Sequence, residues 1–272
     1  MVKGTRKRKA GRMITILHEG DFHCGNKLGL TPPDYIPPAL EPILLPLWNW
    51  REAELKAIGP VDIHILDGDL TDGPGYKGSM GLLTSNLDDQ ADYATECSQR
   101  VRIKAGGERH LAYGSDYHVV ASANVERQIA RNLGAPISDT ILLRVKGTRF
   151  NWRHFVGRSD VERGAFNQDA RELTRDLLRE ALDGIEAADV YGRSHVHYWS
   201  RIDVKRRTVY TSPAYQLPLD IPDSTYPRRL RTQYYDVGYT LIQIDNNGEV
   251  YIRPRTMRLQ MHYPKEYHTY DA

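Results

Sequence analysis

The 272-residue chain is 40% hydrophobic and 26% charged, a globular composition that excludes fibrous and disordered classes. Its 37 Lys and Arg against 35 Asp and Glu leave a formal charge of +2, too small a balance to argue for a membrane surface or for nucleic acid, and no apolar run approaches the ~20 residues of a membrane helix. Two cysteines, Cys24 and Cys97, exclude a disulfide framework and suit a reducing, cytoplasmic setting, and no apolar signal-peptide core follows the basic start.

Residues 1–12 carry Lys3, Arg6, Lys7, Arg8, Lys9 and Arg12 and read as a flexible basic tail, an arm for a polyanion being the sharper alternative. No linker divides residues 13–272, which read as one domain. Met13 to Leu17 is a short β-branched strand, and the Gly-rich stretch to Leu30 a loop that Pro32, Pro33, Pro37 and Pro38 prolong. A helix is expected from about Ala39 to Ile58, interrupted at Pro42 and Pro46, then a strand over Val61 to Leu66. Asn86 to Ala105 reads as one long polar helix, His110 to Tyr113 as a short strand, and Ala123 to Leu133 as a helix stopped by Gly134 and Pro136. Thr140 to Val145 and Arg149 to Val156 flank Lys146-Gly147-Thr148 as a hairpin. Asn167 to Leu182 is the clearest amphipathic helix; Ala188 to Tyr191, Tyr198 to Val204 and Thr208 to Thr211 are strands, and Tyr239 to Ile244 with Val250 to Ile252 is a final hairpin. Helices interspersed early and hairpins late predict an α/β fold, a two-sheet mixed β sandwich flanked by helices.

The chemistry-bearing residues fall just after the predicted strands, where a rigid strand presents a side chain on an accessible backbone. Asp21-Phe22-His23 follows the first strand, Asp67-Gly68-Asp69-Leu70-Thr71-Asp72 the second, Gly114-Ser115-Asp116-Tyr117-His118 the third, and Ser194-His195-Val196-His197 the strand at Val190, while His154 is placed inside a strand. In extended chain residues two apart point the same way, so Asp21 and His23 can bite one metal and His195 and His197 can reach across a pair. Carboxylate oxygen mixed with imidazole nitrogen suits Mn²⁺, Fe, Zn²⁺ or Ni²⁺ over Ca²⁺, and Asp69 is the natural bridging carboxylate. Asp72 is expected to hold a ligating histidine, Asp67 to be structural, and His18 and His64 to be packed or hydrogen-bonded.

The order D-x-H, G-D-x-x-D, G-x-x-x-H, a lone His and H-x-H, spanning Ile14 to Trp199, resembles the calcineurin-like metallophosphoesterase superfamily. The third block departs from the usual Gly-Asn-His: it resembles a Gly-Thr-x-x-His variant met in phage and prophage metallophosphatase-like proteins, which Glu126 to Ala135 (ERQIARNLGA) and Trp152-Arg153-His154-Phe155 also fit. The resemblance implies a metallo-dependent phosphatase-like fold and two divalent ions, Mn²⁺ first, with Fe, Zn²⁺, Ni²⁺ or Mg²⁺ as alternatives. Asp21, His23 and His197 would hold one ion, and His154 and His195 the other, with Asp116, Ser115 or a water in place of the usual Asn and Asp69 bridging the two ions. It implies hydrolysis of a phosphoester by in-line attack of a metal-bound hydroxide, with His118 as general acid. Arg228, Arg229 and Arg231 among tyrosines suggest a substrate rim, which favours a phosphodiester; a phosphomonoester or nucleotide phosphatase, a DNA nuclease and a non-catalytic metal-binding module are the alternatives.

Overall fold

The computed structural model describes residues 12–74, 81–115, 123–156, 186–218 and 235–258, with scattered positions between 170 and 184. The first sheet is built from β1 (Ile14–Glu19), β2 (Val61–Asp67), β3 (Ile103–Ala112), β4 (Ile137–Ser138), β10 (Gly238–Ile244) and β11 (Val250–Thr256), and the second from β5 (Ile141–Val145), β6 (Thr148–Trp152), β7 (Val190–Arg193), β8 (Ser200–Val204) and β9 (Arg207–Thr211). Their strand orders are β11-β10-β1-β2-β3-β4 and β5-β6-β7-β9-β8. Both are mixed: β1 to β4 run parallel, as do β6, β7 and β9, while β10, β11, β5 and β8 pair antiparallel at the flanks.

Alternation along the strands makes the layers, because successive side chains point to opposite faces. Ile16, Ile65, Ala112 and Ile242 face the second sheet and meet Ile141, Phe150, Trp152, Val190 and Tyr210 in the inter-sheet core. Their neighbours Leu17, Leu66, Leu111 and Leu241 face the other way, onto three helices: α1 (Glu41–Ile58), α2 (Leu87–Gln99) and α3 (Ala123–Leu133). Tyr191 and Val209 on the outer face of the second sheet pack on Leu173 and Leu177, from a stretch that is helical at every described position between 170 and 182. The order of layers is therefore helix, sheet, sheet, helix, the expected two-sheet α/β sandwich. No helix among the described residues is long and apolar enough to cross a membrane.

Several elements differ from the sequence reading: β3 begins at Ile103 instead of His110, β4 is additional, and three further differences have plain physical causes. Helix α1 runs unbroken through Pro46. Pro42 sits in the first turn, whose N–H groups have no helical partner, so Pro46 deletes one hydrogen bond only. Helix α2 stops at Gln99 instead of continuing to Ala105, and Ile103 already pairs with Val61 on β2. The side chain of Arg109 closes that helix end by donating from Nη2 to the carbonyls of Ser98 and Val101, a contact no local periodicity can show. Finally, β6 ends at Trp152, so His154 stands past the strand end like the other candidates.

Candidate metal centre

The parallel strands β1, β2, β3 of one sheet and β6, β7 of the other deliver their C-terminal ends to one edge of the sandwich. Asp21, His23, Asp69, Ser115, His154, His195 and His197 all lie in the turns that follow them. Asp21, His23 and His197 form one group and Asp69, His154 and His195 a second, each with one donor atom per residue lying within 4.8 Å of the others in its group.

The backbone reaches this arrangement differently from the extended geometry expected. Among the described residues seven non-glycine positions have positive φ, and five of them are Asp21, His23, Asp69, His195 and His197. The other two, Lys146 and Lys205, lie in the β5–β6 and β8–β9 hairpin turns. Asp and His tolerate the left-handed region better than most residues, yet each such position still costs on the order of 1 kcal/mol or more. Hydrogen bonds between the turns hold it: Asp21 N donates to Gly68 O at 3.0 Å, His23 N to Asp69 O at 3.0 Å, Tyr215 N to Asp21 O at 3.0 Å and Asp236 N to His197 O at 3.0 Å. The turns nest so closely that Gly68, at φ +70°, and Gly114 have no room for a side chain; a Cβ on Gly114 would overlap Asp69 and one on Gly68 would overlap Gly114.

Three of the four histidines are anchored through Nδ1, leaving Nε2 to face inward. His23 Nδ1 lies 3.0 Å from Asp72 Oδ1, and the other oxygen, Asp72 Oδ2, accepts from Asn26 Nδ2 at 3.1 Å. His197 Nδ1 lies 2.7 Å from the hydroxyl of Tyr235, and His154 Nδ1 donates to the carbonyl of Asp67 at 2.5 Å. Outward anchoring of this kind is how proteins fix the tautomer and aim of metal-ligating histidines. Inward, His23 Nε2 and His197 Nε2 face each other at 3.3 Å, and His154 Nε2 is buried without a hydrogen-bond partner although Asp69 Oδ2 lies 2.9 Å away. Asp21 Oδ1 stands on the seam, 3.1 Å from His197, 3.7 Å from His23 and 3.9 Å from His154. His195 Nδ1 is 3.9 Å from Asp69 Oδ2, and its main-chain N–H donates to Asp21 Oδ2 at 2.9 Å.

Charge follows geometry. Burial alone would raise the Asp21 carboxyl, but His197, His154 and His23 outweigh it and hold it well below the usual carboxylate range. Burial would lower His23, yet hydrogen bonds to Asp21 and Asp72 push it up to about 10; for His154 burial is likewise overcome, by Asp69 and Asp21, to about 10. His197 is lowered by burial. The raised values of His23 and His154 reflect the uncompensated negative charge of Asp21, Asp69 and Asp72, which protons or divalent cations can neutralise. The facing Nε2 atoms, the orphaned Nε2 of His154 and the mixed N/O donor set fit one ion per group. His195 is the most exposed of the six, with 25% of its side chain accessible, and Phe155, 48% exposed, packs on it with ring centroids 5.1 Å apart. Among the described residues of the centre, this is the side that reaches solvent.

Of the remaining sequence candidates, Asp72 contacts His23 as described, whereas Asp116, His118, Arg228, Arg229 and Arg231 lie outside the described residues, as does the tail over residues 1–11. Asp67 receives Ser194 Oγ and His18 Nε2, both at 3.0 Å, in a relay that Tyr210 and Trp152 extend. The sequence offers Ser115 only as an alternative to Asp116 for a metal ligand, and it does not single out Tyr235 or Glu126. Ser115 donates its main-chain N–H to Asp69 Oδ1 at 2.8 Å and its hydroxyl to both carboxylate oxygens, at 3.2 and 3.1 Å. Glu126 accepts the N–H of Gly114 at 3.0 Å, and burial above all, with Asp69 adding to it, raises its carboxyl to about 7. Its signal was visible: Glu126 falls beside Val125 and four residues before Ala130, on the apolar stripe of α3.

No family profile and no curated protein matches the chain. Solved structures similar to it include a novel archaeal phosphodiesterase at 12% identity, covering 88% of this chain and 99% of that one with a TM-score of 0.42. A single mutant of Vps29 from Entamoeba histolytica is similar at 12% identity, 88% and 97% coverage and a TM-score of 0.41. A predicted phosphoesterase of Streptococcus pneumoniae is similar at 12% identity, 87% and 86% coverage and a TM-score of 0.37. What the molecule itself presents is a two-sheet α/β sandwich with two adjoining Asp/His groups, each able to hold a metal ion, where the parallel strands of both sheets end.

Proposed function

We propose that the protein is a dinuclear metal-dependent phosphoester hydrolase of the calcineurin-like metallophosphoesterase type, with phosphodiesters as its preferred substrates. The observation that carries this reading is the convergence of two Asp/His groups in which His23, His154 and His197 are anchored outward through Nδ1 and turn Nε2 inward, those of His23 and His197 facing each other. A structural polar cluster would pair donors with acceptors throughout, whereas here His23 Nε2 and His197 Nε2 oppose like atoms and His154 Nε2 makes no hydrogen bond.

Asp21, His23 and His197 would hold one ion and Asp69, His154 and His195 the other, Asp69 being the bridging carboxylate. When bound, such ions neutralise charge on phosphoryl oxygens and make a water acidic enough to serve as nucleophile; Mn²⁺ is the first choice and Fe, Zn²⁺, Ni²⁺ and Mg²⁺ are alternatives. The protein's own part is placement: outward bonds from Asp72, Tyr235 and the Asp67 carbonyl fix the imidazoles, and the open side at His195 and Phe155 admits the substrate. His118 is assigned the proton that leaves with the alkoxide, and Arg228, Arg229 and Arg231 the second ester arm, on their places in the sequence.

The test is a panel of Mn²⁺, Ni²⁺, Zn²⁺ and Mg²⁺ against bis(p-nitrophenyl) phosphate, p-nitrophenyl phosphate and labelled DNA, with Asp69→Asn as control. Turnover of the diester exceeding that of the monoester, and abolished by Asp69→Asn, is expected. Monoester turnover in excess under every metal overturns the diester preference, and no turnover of any substrate by protein holding two ions overturns the hydrolase reading.

A further inference from the structure

We propose that His18 is a positioning residue for the metal centre: a buried relay through its imidazole ties the two sheets together directly beneath the ligands and sets the spacing across which both ions are held. The proposal rests on the dinuclear reading above. Each group draws on both sheets, Asp21 and His23 with His197 in one, Asp69 with His154 and His195 in the other. The separation of the sheets at this edge therefore enters the geometry of both.

The relay runs back and forth across that gap. Trp152 Nε1 on β6 donates to the hydroxyl of Tyr210 on β9 at 2.8 Å, and that hydroxyl meets His18 Nδ1 on β1 at 3.0 Å. His18 Nε2 lies 3.0 Å from Asp67 Oδ2 at the end of β2, and Ser194 Oγ, just past β7, donates to the same oxygen at 3.0 Å. The sheets are thus bridged at Tyr210–His18 and again at Asp67–Ser194, by side chains that are fully buried. One set of proton positions serves every step: the indole only donates, Tyr210 then has its single proton for His18 Nδ1, and His18 Nε2–H faces the carboxylate. Three members stand one or two residues before a ligand: Asp67 before Asp69, Trp152 before His154 and Ser194 before His195. The Asp67 carbonyl also accepts from His154 Nδ1 at 2.5 Å.

Packing alone does not account for these residues. Elsewhere between the sheets the space is filled by Ile16, Ile65, Ile242, Phe150 and Val190. Apolar side chains at positions 18, 67 and 210 would continue that core without the desolvation that a buried carboxylate, imidazole and hydroxyl suffer. Asp67 Oδ1, moreover, is buried with no hydrogen-bond partner among the described residues, a loss that a network serving stability alone would avoid. The fold keeps room for the relay, since a Cβ on Gly192 would overlap both Trp152 and the Tyr210 hydroxyl. Hydrogen bonds weaken steeply outside a narrow range of distance and angle, so the relay fixes a separation that dispersion contacts would let vary.

The experiment is Mn²⁺ binding to the full chain by calorimetry, with low-temperature electron paramagnetic resonance of the bound pair and the melting temperature of the metal-free form. Tyr210→Phe breaks one bridge and Ser194→Ala the other, each by deleting a single hydroxyl and no ligand. Each is expected to weaken both ions by about 10-fold, the low end of the range for groups that orient metal ligands. Each should also change the resonance of the coupled pair, because the coupling depends on the separation of the ions. His18→Leu should weaken binding more, and His18→Gln, which keeps a donor for Asp67, less. A merely structural role would lower the melting temperature and leave the affinity and the resonance of the folded protein as in the wild type. That outcome in Tyr210→Phe and Ser194→Ala, with wild-type protein holding two ions, overturns this proposal alone, whether or not His18→Leu folds. Wild-type protein that holds fewer than two overturns the dinuclear reading and this proposal with it.

Discussion

Two buried clusters of the same residue types flank the first sheet, and they are wired in opposite ways. On the helix side, Glu19 accepts from Arg51 at 3.1 and 3.0 Å, from His64 at 2.9 Å and from the Tyr215 hydroxyl at 2.5 Å, while His64 Nδ1 accepts from Arg109 at 3.0 Å. Acceptor meets donor almost throughout, the guanidinium of Arg51 lies over the rings of Phe22 and Tyr215, and among the described residues Arg51 Nη1 is the one fully buried side-chain nitrogen of this network without a hydrogen-bond partner. At the strand ends, in contrast, imidazole nitrogens face each other and face carboxylates that need protons or cations to neutralise them. Closure marks a cluster that serves the fold; opposition of like atoms marks one that awaits something from outside. The two are also linked, because Phe22, packed on Arg51, sits between Asp21 and His23.

The deepest break in this comparison is Arg51→Ala. It leaves Glu19 buried without its cation, and a loss of about 3–5 kcal/mol in urea unfolding is expected. A loss under about 1 kcal/mol would mean that the closed network is not what holds this side of the sheet. Asp72→Ala is smaller and affects the other cluster: removing the anchor of His23 Nδ1 should weaken one Mn²⁺ by about 10- to 100-fold while leaving metal-free stability within about 1 kcal/mol. Equal weakening of both ions in the otherwise native protein would contradict the assignment of His23 to a single group.

The gentlest test changes only pH, and there the two clusters should show opposite signs. Burial holds His64 down at about 4, below its ordinary 6.5, so the network's contribution is present above 6.5 and is lost as pH falls through about 4. His23 and His154 are pushed up to about 10, so their contribution is full below 6.5 and is lost as pH rises through about 10. Unfolding of metal-free protein should therefore show an acid limb and an alkaline limb, each sloping by roughly 1 kcal/mol per pH unit for one titrating histidine. Saturating Mn²⁺ should flatten the alkaline limb and leave the acid limb in place, since metal takes the proton's position in one cluster and has none in the other. An alkaline limb that persists unchanged in Mn²⁺ would separate these histidines from the metal sites.

Much of this molecule was legible in one dimension. Alternation of apolar residues placed the strands, and the Asp and His residues just beyond them marked where ligands would gather. Local patterns failed where distant chain intervenes: β-pairing to Val61 ends α2 before its helical periodicity runs out, and the short β4 is defined only by its neighbour β3. Of the centre, the sequence by itself determined which residue types stand at the strand ends, because hydrophobic burial sets the strands and so their ends. Only the tertiary structure decided that Asp21, His23, Asp69, His195 and His197 adopt left-handed backbone, that Ser115 holds the Asp69 carboxylate, and that Glu126 accepts the N–H of Gly114 in the same turn. Those features come from hydrogen bonds between turns of different strands, a main-chain N–H of one meeting a carbonyl or carboxylate of another, and residues so far apart in the chain carry no mark of which partner they will meet.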